Sequence, residues 1–105
     1  MTKYILETER LRRVPQQFSW VDHRLVRHHY LPRARAQSWG LYLLLVTVSD
    51  ENGLSYYSDQ ALARLLSLSL EGLLVARTEL LHAGVIAYES PLYQVLGLDA
   101  GKELS

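Results

Sequence analysis

The chain has 105 residues, of which 49% are hydrophobic and 21% are charged, and it contains no cysteine. This size and composition are typical of one folded domain and argue against a largely disordered chain. The lack of cysteine excludes a disulfide framework, a thiolate zinc site and cysteine catalysis. The first residues lack the apolar core of a signal peptide, and the longest apolar run, residues 41–48, is too short to span a bilayer. We therefore predict a cytoplasmic protein with no membrane partner.

The net charge is zero, but the charges are distributed unevenly along the chain. Residues 1–37 contain eight Lys and Arg side chains and three Asp and Glu side chains, whereas residues 38–105 contain three and eight. Two interpretations fit this asymmetry. The basic third is a footprint for nucleic acid, or the two parts attract each other within a fold or a dimer.

The first third of the chain predicts an arm followed by one helix. Residues 1–17 show weak periodicity and mixed charge, which predicts an N-terminal arm with at most a short strand. Ser19 can then cap a helix whose apolar positions include Val21 and Leu25. Pro32 closes this segment, because proline cannot continue a helix.

Residues 34–49 could form a buried strand or a buried helix, since the run 41–48 is almost entirely apolar. Apolar character begins upstream at Ala34, and Trp39 precedes Tyr42 by three residues, which favours the helix. The segment 50–53 ends in glycine and provides a C-terminal stop. We predict a central buried helix.

Two shorter helices and a hairpin are predicted next. After an extended segment at residues 54–57, Ser58 caps a helix, and Ser69 caps a second helix that stops at Gly84. The predicted inner positions are Ala61, Leu62, Leu65 and Leu66 in the first helix and Leu73, Ala76, Leu80 and Leu81 in the second. Residues 85–88 and 92–96 read as two strands of a β-hairpin, and residues 97–105 as a tail.

One run resembles a known family. Leu62-Ala63, Leu66-Ser67-Leu68-Ser69, Leu73, Ala76, Leu80 and Ala83-Gly84-Val85-Ile86 are similar to the winged helix-turn-helix pattern of bacterial regulators and replication-initiator-like proteins. With the preceding apolar helix, the chain looks most like the short winged-helix proteins carried on bacterial replicons and mobile elements. The resemblance covers roughly residues 34–96. It implies a mainly α fold with a small β-hairpin (α+β), organised as an arm (1–17), a winged-helix domain (18–96) and a tail (97–105).

The resemblance also implies a function. Winged-helix regulators of transcription place the second helix at the DNA major groove, commonly as dimers. The positions that this role assigns to DNA contact are Ser69, Leu70, Glu71, Leu74, Arg77 and Thr78. Leucine and glutamate are poor readers of base edges and poor partners for phosphate. We therefore expect the affinity for double-stranded DNA to come largely from Arg10, Arg12, Arg13, Arg24 and Arg27.

A second interpretation needs no DNA. Exposed Leu70 and Leu74 would suit a protein partner or a second copy, which predicts an interaction or dimerisation module. Alternatively, these leucines pack against the N-terminal segment of their own chain. Neither a catalytic constellation nor a cofactor motif is present, and His23, His28 and His29 lack the spacing of a helical metal site. We predict that the chain is not an enzyme.

Overall fold

The computed structural model describes residues 2–98, which form a mixed α+β unit. Its helices are α1 (Arg24–Arg27), α2 (Ala36–Val48), α3 (Asp59–Leu66) and α4 (Leu70–Ala83), with short 3-10 turns at Thr8–Arg10 and Leu31–Arg33. Its strands are β1 (Leu54–Tyr56), β2 (Ile86–Glu89) and β3 (Leu92–Val95). None of the helices between residues 2 and 98 is long and apolar enough to cross a bilayer.

Helix α2 is the central element, as predicted. Leu41 and Leu45 lie one turn apart on α2 and are fully buried. They pack in one core with Leu73 and Leu80 of α4 and with Tyr93 of β3. The apolar run 41–48 is therefore a helix and not a strand, and from its buried side this helix contacts α3, α4 and the sheet together.

The first turn of α2 is stabilised by a carboxylate from α4. Helix α2 begins after Arg35 with no side-chain cap of its own. Glu79 takes that role: its Oε1 accepts from the backbone N–H of Arg35 at 2.9 Å and from the Ser38 hydroxyl at 2.6 Å, and its Oε2 accepts from the Arg35 Nε at 2.7 Å. The Arg35 backbone bond, followed by the Ser38 bond, lowers the pKa of Glu79 to about 2.

The depressed pKa of Glu79 predicts a specific loss of stability in acid. A carboxyl whose folded pKa lies below its usual value of 4.5 stabilises the fold fully above about pH 4.5, and that stabilisation disappears as the pH falls towards 2. We expect Glu79→Gln to lower the melting temperature at neutral pH and to flatten its fall between those pH values. Thermal unfolding followed by circular dichroism at several pH values measures this.

Glu89→Gln is the control, since Glu89 is exposed at the end of β2 and its side chain has no hydrogen bond or ion pair among the residues described. Its melting profile should coincide with that of the wild type. An acid limb that is unchanged in Glu79→Gln would contradict the assigned role of this carboxylate.

The sheet has three antiparallel strands in the order β1-β3-β2, so the predicted hairpin of β2 and β3 is confirmed, but a hairpin alone is not the whole sheet. The extended segment after α2 joins it as β1. The turn that delivers β1 is closed by Asp50, whose Oδ1 accepts from the Asn52 and Leu54 N–H groups, both at 2.9 Å. Gly53 is required there, because its φ is +82° and a Cβ would lie 2.7 Å from the Val95 carbonyl oxygen.

The predicted helix beginning at Ser19 is wrong. Residues 18–22 are irregular, the Ser19 hydroxyl donates to the Thr47 carbonyl at 3.5 Å, and α1 is only four residues long. Asp22 instead precedes the helix, and its Oδ1 accepts from the Arg24 N–H at 2.8 Å. The helix ends after one turn because His29 adopts a positive φ of 61°, which turns the chain so that Tyr30 enters the core.

Two predicted core positions are also wrong. Leu65 of α3 is 59% exposed and Leu81 of α4 is 39% exposed, whereas Ala63 and Ala83 are buried. The buried row of α4 is Leu73, Ala76, Leu80 and Ala83, spaced by three or four residues. Leu81 comes directly after Leu80 in the sequence, so its side chain is rotated by about 100° from this row and lies outside it.

The predicted arm and tail differ in how they meet the core. Every side chain of residues 2–21 is exposed, the 3-10 turn included. Leu98, inside the predicted tail, is buried and belongs to the core cluster. The remainder of that tail, residues 99–105, lies outside the described residues.

Candidate functional site

Helices α3 and α4 form a pair whose ends are set by the residues that sequence identified. The Ser58 hydroxyl accepts from the Ala61 N–H at 3.1 Å, and the Ser69 hydroxyl accepts from the Gly72 N–H at 3.0 Å. Between them Ser67 takes a left-handed conformation with φ 56°, which ends α3 and starts the tight turn. Gly84 ends α4 with φ +78°. Both predicted caps and the predicted stop are confirmed.

We call the solvent side of α4 its outer face; it comprises Leu70, Glu71, Leu74, Val75 and Thr78. All five side chains are exposed, and Leu70 and Leu74 are 50% and 46% accessible. The alternative in which these leucines pack against the N-terminal segment is therefore wrong. Only Glu71 and Thr78 bring polar groups to this face, so it offers no cation to a phosphate.

Arg77 does not share the outer face, and its predicted availability for DNA is wrong. It is 9% exposed, and its Nη1 donates to Asp59 Oδ1 at 2.8 Å and to the Tyr93 hydroxyl at 2.9 Å. Its Cζ lies 4.2 Å from the centroid of the Tyr88 ring. Burial opposes the charged form, but the bonds to Asp59 and Tyr93 outweigh it and raise the pKa of Arg77. The guanidinium thus connects α3, α4 and both hairpin strands.

The hairpin adds no positive charge beside α4. Residues 85–96 include no lysine or arginine, and Glu89 lies exposed at the end of β2. The turn is attached to the segment before α3, since the Tyr57 N–H donates to the Pro91 carbonyl at 3.2 Å. Any contact with a phosphate therefore has to come from cationic side chains outside the hairpin.

The arginines of the basic third fall into two groups. Three of them are engaged within the fold: Arg24 binds Asp22 with an Nη2–Oδ2 distance of 2.7 Å, Arg33 Nη1 donates to the Ala83 carbonyl at 3.2 Å, and Arg35 binds Glu79. Of these three contacts, only the Arg35–Glu79 ion pair joins the basic residues 1–37 to the acidic remainder of the chain, because Asp22 lies within residues 1–37 and Arg33 donates to a neutral carbonyl. The Arg24 side chain also holds the pKa of Asp22 at about 2.

The second group is exposed to solvent. The side chains of Arg12, Arg13 and Arg27 make no hydrogen bond or ion pair among residues 2–98. Arg10 has only a 4.0 Å approach to Glu7, with both side chains more than 60% exposed. Among the five arginines predicted to bind DNA, four are therefore available in solution, and Arg24 is already paired.

Sequence reasoning missed a cleft of about 600 Å³ between residues 18–24 and the ends of α2 and β3. Phe18 and Trp20 line one side and Tyr42 the other, with the carboxylates of Asp22 and Asp50 beside them. Burial, followed by the charge of Asp22, raises the pKa of Tyr42. The cleft brings together segments far apart in the chain, so no local sequence signal marks it, and its acidic lining does not suit phosphate.

Within residues 2–98, no three His, Asp or Glu side chains are grouped so that they could hold a metal ion. Comparison with family models, curated proteins and solved structures finds no match for this chain.

Proposed function

We propose that this chain is a DNA-binding accessory or regulatory protein with a winged helix-turn-helix arrangement, whose affinity comes from arginines outside α4. The observation that carries the proposal is that some arginines of residues 1–37 are paired within the fold and others are not. Arg12, Arg13 and Arg27 have no partner among residues 2–98, whereas Arg24 and Arg35 are held by carboxylates. When an unpaired, exposed arginine contacts a DNA phosphate, it displaces a cation that was condensed on the DNA. The release of that cation drives association.

The order of elements supports the winged-helix part of the proposal. Helix α3, a three-residue turn and helix α4 lead directly into the β2–β3 hairpin, and β1 pairs with β3. A rigid pair of capped helices with an adjacent sheet is the architecture by which such domains approach duplex DNA. Arg12 and Arg13 lie on an exposed arm, and basic arms of this kind reach the minor groove or the backbone in other DNA-binding proteins.

The proposal predicts a measurable salt dependence. Each phosphate contact contributes about 0.9 to the slope of log K against log salt on duplex DNA. We expect fluorescence anisotropy with a duplex pool between about 50 and 200 mM salt to give a steep slope, and the triple variant Arg12→Gln, Arg13→Gln, Arg27→Gln to reduce it by about 2 to 3.

Arg35→Gln is the matched control, because the Arg35 guanidinium is already bound to Glu79. It should change the slope much less than any one substitution among the three unpaired arginines. Absence of binding at low salt, or binding without a salt slope, contradicts the proposal.

The leucines of the outer face support a second candidate function, an interaction or dimerisation module. A contiguous exposed apolar strip on a helix marks an interface more often than a nucleic-acid surface. Leu74→Glu should abolish association with a protein under this function and leave the salt slope on DNA unchanged, whereas the arginine substitutions should do the reverse.

A further inference from the structure

We infer that the outer face of α4 binds the same face of a second copy, with the two α4 helices antiparallel. This inference rests on the second candidate function, and it holds whether or not the arginines bind DNA. It names both the partner and the geometry of the contact.

The contact surface is a ridge of three leucines: Leu70 and Leu74 of the outer face, and Leu81, which extends it towards the end of α4. At 100° per residue, Leu70, Leu74 and Leu81 project within about 40° of one another on α4. They are 50%, 46% and 39% exposed, although α4 buries four other apolar side chains on its opposite side. Glu71, Thr78 and His82 flank the ridge on one side, and all three are exposed.

The ridge is complementary to itself when one copy is reversed. Helix α4 runs from Leu70 to Ala83, so an antiparallel pair centred near position 76 brings Leu70 within one residue of Leu81 of the second copy. Leu74 then lies opposite Thr78 of the second copy. A two-fold axis makes every such contact twice, which is how isologous dimers gain stability from a small surface.

The polar side chains beside the ridge suit the antiparallel pairing. Glu71 and His82 flank the ridge on the same side, and a two-fold axis that reverses the helix places that side of both copies together. The Glu71 carboxylate then meets the His82 imidazole of the second copy, and an imidazole N–H can donate to it. In a parallel pair the two flanking rows would lie on opposite sides of the interface, and this contact would not form. Neither Glu71 nor His82 has a hydrogen bond or ion pair among residues 2–98, so both are available. Opposed helix dipoles also favour the antiparallel pair.

The size of the surface sets the strength to expect. One helix face from each copy falls at the low end of specific interfaces, below about 1,200 Å² in total. The dimer is therefore weak and reversible. Sedimentation equilibrium should detect it at protein concentrations from about ten to several hundred micromolar, because complexes with dissociation constants in that range are partly assembled there.

The first experiment compares two leucines that are both exposed. The full chain should show a concentration-dependent monomer–dimer equilibrium. Leu74→Glu should weaken it at least about tenfold, which corresponds to 1.4 kcal/mol. Leu43→Glu is the control, because Leu43 is 60% exposed on α2, outside the ridge, and should leave the equilibrium unchanged. A wild type that stays monomeric over the whole range, or a Leu74→Glu chain that dimerises as the wild type does, overturns the inference.

The second experiment tests the antiparallel geometry. Glu71→Lys and His82→Glu should each weaken the dimer, and the double variant should recover it because the pair is restored with its charges exchanged. Circular dichroism confirms that each variant is folded. Dimers that are unaffected by either single change, or that the double change does not recover, overturn the antiparallel pairing. DNA binding measured on the same proteins reports the arginine proposal separately.

Discussion

Leu73→Ala is expected to destabilise the fold by about 2–5 kcal/mol, the usual cost of a cavity left by a buried leucine. Leu73 is fully buried on α4 and packs in the cluster with Leu41 and Leu45 of α2. The removed methyl groups leave a space that surrounding residues cannot fill, because the buried side chains around Leu73 already pack closely. Urea denaturation followed by circular dichroism measures the change in the free energy of unfolding.

The adjacent residue gives an unusually close control. Leu74 lies one position further along the same helix and is 46% exposed. Leu74→Ala should change the free energy of unfolding of the monomer by no more than about 0.5 kcal/mol, as surface substitutions do. The measurement is made at low protein concentration, so that the proposed dimer does not contribute. Equal losses in the two variants would show that α4 does not pack as described.

Arg77→Ala is expected to cost about 2–4 kcal/mol, even though the side chain is an arginine. The substitution leaves the Tyr93 hydroxyl buried without its partner and removes the cation from the face of the Tyr88 ring. Asp59 loses its ion pair too, but its side chain is 40% exposed, so water compensates part of that loss. Chemical denaturation measures the total.

A double-mutant cycle separates these contributions. Tyr93→Phe removes only the hydroxyl and should cost about 1 kcal/mol. Combined with Arg77→Ala, its additional effect should nearly vanish, because the hydrogen bond is already absent. Additive losses would mean that the two side chains do not act together. Unchanged stability in Arg77→Ala would contradict the burial of this guanidinium.

Local rules were sufficient wherever the structure depends on a few neighbouring residues. Ser58 and Ser69 were recognised as caps because each precedes an apolar helical pattern, and Gly84 as a stop because the chain needs a positive φ there. The same kind of rule failed at Ser19, where Asp22 competes as a cap three residues later and the backbone turns again at His29.

Arg77 shows where helical periodicity does not decide. At 100° per residue it lies about 20° from the exposed Leu70 and about 40° from the buried Leu73, so the pattern places it at the boundary between the two sides of α4. Its burial follows from Asp59 and Tyr93, which are 18 and 16 residues away in the sequence. The cleft beside Tyr42 has no local sequence signal, since it exists only once residues 18–24, α2 and β3 meet.

The contact between the Glu79 carboxylate and the start of α2 has a consequence for how this chain folds. The amide that opens α2 is satisfied by a group 44 residues further along. A peptide of residues 34–49 would lack that acceptor and would fray at its beginning, however apolar its remaining turns. The start of α2 and the middle of α4 should therefore form in one cooperative step, and the backbone amide hydrogen of Arg35 should exchange with solvent only when Glu79 withdraws from it.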